Sequence, residues 1–275
     1  MDEDTAKDTL TLAAVQMTST SVLEENLETA RVFIDQASAG RADIIVLPEN
    51  FSLMSETKHQ RHDAAQRVSD VEAMLSAAAR DNGAVIIGGS TPFPAPDGRV
   101  TNTCLVFDDQ GRRIGRYDKI HLFDVSVSSS ESYNESRHIA PGSEPLAVDA
   151  LGLTLGITIC YDLRFPELYR RLAVAGAELF TIPSAFTVPT GRAHWHTLLR
   201  ARAIENLAWV VAPAQVGEHT SGRQTFGHSL IIDPWGAIVA ECAGGPGVIF
   251  AQLDRNNAAQ RRQQFPALAH RVLDC

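Results

Sequence analysis

Read as hydrophobic and polar positions, the chain alternates short apolar runs with stretches of helical period. Leu10 to Met17, Asp43 to Leu47 and Ala84 to Gly88 are apolar runs of strand length. Between the first two, Leu23, Leu27, Ala30, Ile34 and Ala37 form one stripe and predict an amphipathic helix. Ser21 and Glu24 read as its capping box and Gly40 as its stop. A second helix is expected from Ala64 to Arg80. Val100 to Phe107 and Arg112 to Tyr117 flank Asp108–Gly111 and predict a hairpin. Leu153 to Ile159 reads as a buried strand, and Pro166 opens a helix that ends near Gly176. Glu178 to Ile182 and Ala208 to Gln215 are strands on either side of a helix from Arg192 to Asn206. Phe226 to Ile232, Ala237 to Glu241 and Gly247 to Leu253 follow, with Asp233–Gly236 as a turn. Fully apolar strands that follow helices sit beside strands paired by tight turns. The mixture predicts an α/β layered sandwich, sheets inside and helices outside.

Composition narrows the picture. A chain of 275 residues at 44% hydrophobic content can bury a large core. The one Pro-rich patch, Thr91–Gly98, is short and turn-like, so no linker divides the chain. The expected organisation is an acidic disordered tail over residues 1–9 and a single domain over 10–275. A formal charge of −9 argues against a nucleic-acid or anionic-membrane surface, which would need clustered Lys and Arg. The first residues lack the basic and apolar regions of a signal peptide, and no apolar run has the length of a membrane span. Cys104, Cys160, Cys242 and Cys275 show no CxxC spacing, which fits a reducing cytoplasm and neither a disulfide framework nor a zinc knuckle.

Three polar residues stand where apolar runs end: Glu49 after IIVLP, Lys119 after GRYD and Cys160 after LGITI. Each alone has a plain structural explanation, as a solvated loop carboxylate, an edge-strand charge and a small core residue. Together they are the parts of an acyl-transfer site: a thiolate attacks, a carboxylate moves protons and an ammonium stabilises the oxyanion. An ammonium near a thiol also favours thiolate. The backbone N–H of Tyr161 is the natural second oxyanion donor.

The segments LPEN at 47–50, YDKIHLFD at 117–124 and ICYDLRFPELYR at 159–170 resemble the signature segments of the nitrilase superfamily, the carbon–nitrogen hydrolases. The resemblance runs from about Leu10 to Leu273. It includes PSAF at 183–186, GRAHWHTLLRARAIEN at 191–206 and GHSLIIDPWG at 227–236, and is closest to the Nit branch of deaminated-glutathione amidases and ω-amidases. It implies a four-layer α-β-β-α sandwich that pairs with a second copy as a homodimer or larger homo-oligomer. It also implies a Glu49–Lys119–Cys160 triad, no cofactor and no metal. A second glutamate follows the lysine motif in this family. Tyr133-Asn-Glu-Ser136 matches that position, which assigns Glu135, with Glu131 as the neighbouring alternative and an ion pair to Arg137 or Arg164 as its structural reading. His196 departs from the AHWE pattern common in related members.

The implied reaction is hydrolysis of a small linear amide, with a 2-oxodicarboxylic acid amide as the expected substrate. An ω-amidase or an N-carbamoyl amino acid amidohydrolase is the alternative within the family. Tyr161, Arg164, Phe186 and Thr187 are the expected substrate-binding residues. Arg164 is a fork suited to a carboxylate, or else a structural partner of Glu167 or Asp162; Arg202 is a second candidate. A reading of another class keeps the fold and uses Cys160 as a redox-sensing thiol, but a sensor has no need of the paired Glu and Lys. Gly227-His228-Ser229 lacks the second glycine of a serine elbow. His59 with His62, and His194 with His196, lack a third metal ligand at useful sequence spacing. The run from Phe265 to Leu273 carries Phe265, Leu268, Val272 and Leu273 and suits either an arm laid on a neighbour or packing on its own subunit.

Overall fold

The first strand, β1 (Thr9–Gln16), sorts its side chains by parity. Leu10, Leu12 and Ala14 belong to one buried cluster, and Ala13 and Val15 to another. A strand buried on both faces must lie inside a layered stack. The computed structural model, which describes residues 7–127 and 132–273, contains that stack.

The chain continues through α1 (Leu23–Ala39), β2 (Ile44–Val46), α2 (Lys58–Gln66), α3 (Val68–Asn82), β3 (Val85–Ile87), β4 (Thr91–Pro94), β5 (Val100–Phe107) and β6 (Arg113–Asp118). A small ribbon follows, β7 (Asp124–Ser126) with β8 (Ser132–Asn134). Then come β9 (Leu146–Ala150), β10 (Leu153–Ile157), α4 (Pro166–Val174), β11 (Leu179–Thr181), α5 (Val188–Asn206) and β12 (Trp209–Ala212). A second ribbon, β13 (Val216–Glu218) with β14 (Gln224–Phe226), precedes β15 (Ser229–Ile232), β16 (Ile238–Cys242), β17 (Gly247–Asp254) and α6 (Arg255–Gln264).

One sheet has the order β17-β1-β2-β3-β5-β4, with β6 added against β5; the other runs β16-β15-β12-β11-β10-β9. Each has a parallel centre, β1-β2-β3 and β10-β11-β12, flanked by antiparallel strands. Leu12, Ile44, Val46 and Ile87 of the first sheet share a buried cluster with Leu155, Leu179 and Leu230 of the second and with Leu168, Trp195 and Leu199 of α4 and α5. Ala30 and Ile34 of α1 and Val71 and Leu75 of α3 form a separate cluster with Ala13, Val15 and Ile45 on the first sheet's other face. The order of layers is α-β-β-α, as expected. Each fully buried Leu or Ile contributes roughly 1.5–3 kcal/mol, so the two clusters hold the stack together.

Several local expectations fail for identifiable reasons. Ser21 does not cap α1: the residue before the helix is Val22, with extended backbone and no side-chain cap. The turn is instead closed by Asn26, whose side chain accepts from the Thr20 N–H at 2.7 Å and donates to the Thr20 and Ser52 carbonyls. A capping box does exist at the start of α2, where Thr57 and Gln60 satisfy each other's backbone N–H groups. The helix expected over Ala64–Arg80 is two, α2 and α3, broken at Arg67. Thr91–Pro94 is not a turn but the edge strand β4, the one place in a sheet where Pro92 and Pro94 cost no ladder bonds. Strand β9 and helix α6 were not anticipated. Strand β1 begins at Thr9, which pairs with Asp254, and residues 1–6 and Cys275 lie outside the described residues.

Candidate active site

The parallel centres of both sheets send their C-terminal ends to the same edge of the stack, where open α/β sheets bind ligands. Glu49 leaves the end of β2 through Pro48. Its carbonyl accepts from Gln215 Nε2 at 3.0 Å, and the next N–H, Asn50's, donates to Ser90 Oγ at 2.9 Å. Gly89 makes this packing possible: at φ +48° a Cβ there would stand 2.0 Å from the Pro48 carbonyl. Lys119 follows β6. Its N–H donates to the Asn102 carbonyl and its own carbonyl accepts from Gly142, where a Cβ would stand 2.1 Å from the Asp118 carbonyl.

Cys160 sits two residues beyond Ile159's neighbour Thr158, on a chain that continues β10 past its paired segment. The Thr158 N–H donates to Thr181 O and the Cys160 N–H to Pro183 O. Cys160 has φ 49°, a left-handed conformation that a non-glycine residue adopts at a cost. The turn is clamped by Asp162, wholly buried, whose carboxylate accepts from Ile159 N–H, Tyr117 Oη–H and His121 N–H, with His121 Nδ1 also 2.7 Å away. A short 3-10 helix, Cys160–Arg164, then leads into α4.

Lys119 is the centre of the polar cluster. Its ammonium, 2% exposed, donates to Glu49 Oε1 at 2.9 Å and to both oxygens of Glu135 at 3.1 and 3.0 Å. Asn102 Nδ2 also donates to Glu49 Oε1, at 3.1 Å, and Glu135 is fixed by the Phe123 N–H at 2.7 Å. Burial alone would raise the Glu49 carboxyl, but the Lys119 charge and hydrogen bonds from the Cys160 thiol and Lys119 hold it below its ordinary range. Burial would strip Lys119 of its proton, yet Glu135 and Glu49 hold its pKa well above the usual value. The Cys160 thiol is pushed well above its ordinary range by burial and then by the Glu49 carboxylate, with Lys119 pulling the other way. The resting site is therefore a protonated thiol hydrogen-bonded to an ionised carboxylate, beside an ammonium.

These residues line a cavity of about 220 Å³. Glu49, Lys119, Glu135 and Cys160 all reach it, as do Tyr161, Phe186 and Thr187 among the expected substrate-binding residues. Arg164 does not. Its guanidinium lies 3.3 Å from His194 Nδ1 and packs over the Tyr161 and Phe186 rings, so it backs the cavity wall instead of facing the cavity or pairing with Glu167 or Asp162. Arg202 is structural: it donates to the Leu163 carbonyl and Glu205 and stacks on Tyr169. Ser229 is buried and bonded to Gln16, which removes it as a nucleophile. Glu131 lies outside the described residues.

Two cations in the cavity wall were missed. Arg61 enters from α2. Arg223 enters from the β13–β14 ribbon, where its Nη2 donates to the Ala185 carbonyl at 2.7 Å and its guanidinium lies over Tyr133. Its Nε is buried with no partner among the described residues. Nothing in the sequence marks either arginine, because each comes from a polar surface stretch. Asn102 did leave a signal, as an amide interrupting the apolar strand VTNTCLVF.

The Carbon-nitrogen hydrolase family model matches residues 11–263. The chain belongs to the carbon–nitrogen hydrolase family. It is 42% identical over 265 residues to a deaminated glutathione amidase of Synechocystis sp., covering 94% of this chain and 97% of that one. Saccharomyces cerevisiae Nit3, a member of branch 10 of the nitrilase superfamily, superposes with a TM-score of 0.86 at 31% identity, over 96% of this chain and 97% of that chain. A solved amidase from Nesterenkonia sp. AN1, in a mutant of which acrylamide has added to the active site cysteine, superposes with a TM-score of 0.78 at 25% identity, over 94% and 98% of the two chains. This carbon–nitrogen hydrolase thus acts on C–N bonds other than peptide bonds. Among the described residues, no helix is long and apolar enough to cross a membrane.

Proposed function

We propose that Cys160, Glu49 and Lys119 hydrolyse a linear amide through a thioester, with Glu135 positioning the lysine. The observation that carries the reading is one ammonium held by two glutamates, one of which is hydrogen-bonded to the thiol. Glu49 accepts the thiol proton as Sγ attacks the amide carbon, so free thiolate need not accumulate. The tetrahedral oxyanion is met by the Lys119 ammonium and the N–H of Tyr161, the second residue of the 3-10 turn. Glu49 returns its proton to the nitrogen as the C–N bond breaks and the amine leaves. It then deprotonates the water that cleaves the thioester, which releases the acid and restores the thiol.

The substrate is an amide bearing a carboxylate near the scissile bond. Three cations, Lys119, Arg61 and Arg223, stand against two carboxylates in the cavity wall, so an otherwise acidic protein presents a positive cavity. His138 adds no charge there, because burial and the nearby Arg61 lower its pKa. Arg223 keeps an unspent buried donor, and a guanidinium fork is the best mate for a carboxylate. Together with the deaminated glutathione amidases among the relatives, this favours the 4-carboxy-4-oxobutanoyl amide of cysteinylglycine, cleaved to 2-oxoglutarate and the dipeptide. The free 2-oxo-acid amide ranks next and N-carbamoyl amino acids third.

The test compares kcat/KM for these three substrates with that for propionamide, in the wild type and in Arg223→Met. Acidic amides should be preferred, and the substitution should cost them at least tenfold while sparing propionamide. A preference for propionamide would remove the acidic-substrate reading and leave the triad standing. We infer in addition that two copies pair and that the enzyme works in the cytoplasm, which three free cysteines support. Val174, Ile204, Trp235 and Val239 are exposed apolar residues that a partner would cover. Light scattering that returned 29.8 kDa at micromolar concentration would exclude a stable pair.

A further inference from the structure

Away from the catalytic cavity, three elements bring a second chemical constellation together. His196 comes from α5, Glu241 from β16, and His228 from the link between β14 and β15. His196 Nε2 lies 3.0 Å and His228 Nδ1 lies 2.7 Å from the same oxygen, Glu241 Oε1. All three donor atoms fall within 4.8 Å of one another. The two partners that sequence spacing could not supply to His196 come from a strand and a loop, while His194 faces Arg164 instead.

We propose that His196, His228 and Glu241 form a binding site for a divalent transition-metal ion, with Zn²⁺ the best match to two imidazoles and a carboxylate. Zinc bonds of about 2.0–2.2 Å place neighbouring tetrahedral ligands roughly 3.3 Å apart, so the two separations to Glu241 Oε1 need to open by about 0.3 and 0.6 Å, and the two ring nitrogens, within 4.8 Å of each other, need to settle at the same spacing. The ion takes the place of the protons that now link each ring to the carboxylate. The side chains are 28 to 35% exposed, which leaves room for water to complete the coordination.

The cluster is also pre-arranged. His228 has φ 57°, its carbonyl accepts from Trp195 Nε1 at 2.7 Å, and its ring stacks on Phe226 at 4.3 Å. Trp195 is the chain neighbour of His196, so the same stretch of α5 that offers one ligand fixes the backbone of another. Glu241 is held opposite Leu230 in the β15–β16 ladder. A bound ion would clip α5, whose N-cap Thr187 lines the cavity, to β16 and to the link that follows the Arg223 ribbon.

The experiment uses the Cys160→Ala enzyme, so that the nucleophilic thiol cannot take up metal. Zinc uptake is measured by competition with a chromophoric chelator, and melting is recorded with and without zinc. One zinc per chain should bind and raise the Tm, as any ligand specific for the folded state does. His196→Gln, Glu241→Gln and His228→Asn should each lose at least tenfold in affinity and abolish the zinc-dependent shift. Asn is chosen at residue 228 because it tolerates the left-handed backbone. No uptake at millimolar zinc, or parent affinity in the three variants, would overturn the site.

Discussion

At the scale of single residues, the site depends on charges that burial would neutralise if they stood alone. Cys160→Ala should abolish turnover with little change in the urea midpoint, because it removes one atom at the edge of a cavity. Iodoacetamide should label Cys160 before Cys104, which is fully buried and whose thiol burial pushes far up. In Glu49→Gln, labelling of Cys160 should slow by about a hundredfold or more, since the base that takes its proton is gone, while labelling of Cys242 stays unchanged. Equal rates at Cys160 in wild type and Glu49→Gln would remove Glu49 as its base. The same pair reports on acid stability. Glu49 titrates lower in the folded enzyme than its ordinary 4.5, so its contribution is complete above about pH 4.5 and is lost as pH falls through the folded value. Denaturation curves should therefore steepen in their pH dependence below pH 4.5 for the wild type and less so for Glu49→Gln. Lys119 runs the other way: its folded pKa is raised, so its contribution persists up to about pH 10.5 and fails only above it.

At the scale of elements, the nucleophile turn is held by one carboxylate. Asp162→Ala would strand the buried donors of Ile159, Tyr117 and His121, and should cost about 3 kcal/mol. Thermal melting would show this directly, and kcat should fall with it because the left-handed backbone at Cys160 loses its clamp. An unchanged Tm would mean that water takes over all those bonds. Thr57→Ala removes the capping box of α2 and should cost about 1 kcal/mol. Because α2 carries Arg61 into the cavity, KM for acidic amides should rise in the same variant while kcat holds.

Elements also show what a sequence can and cannot reveal. The strands ending at Glu49 and Cys160 were legible because fully buried strands leave uninterrupted apolar runs. Glu135 was legible only through a family motif, since its turn is polar throughout. Arg164 was misplaced because nearness to Cys160 along the chain says nothing of direction, and a 3-10 turn points it towards His194. Arg61 and Arg223 reach the cavity by tertiary packing alone, which no local pattern encodes. Ser21 looked like a cap by spacing, but the buried Asn26 side chain won the competition for the Thr20 backbone.

At the scale of the whole molecule, the proposed catalytic group is assembled across the two sheets. Glu49 and Lys119 follow strands of one, and Cys160 follows a strand of the other. Activity should therefore return in refolding only with the last phase of tryptophan fluorescence, when the sheets have docked. Activity that recovered ahead of that phase would show the site closing before the stack. The pairing of β1 with β17 carries this further. Eight residue pairs, from Thr9 with Asp254 to Gln16 with Gly247, join the first strand to the last. On a ribosome, β1 is made long before its partner β17. Until then β1 presents a bare edge to the crowded surroundings of the nascent chain. A chain stalled before Gly247 would hold Glu49, Lys119, Glu135 and Cys160 and still leave that edge of β1 unpaired.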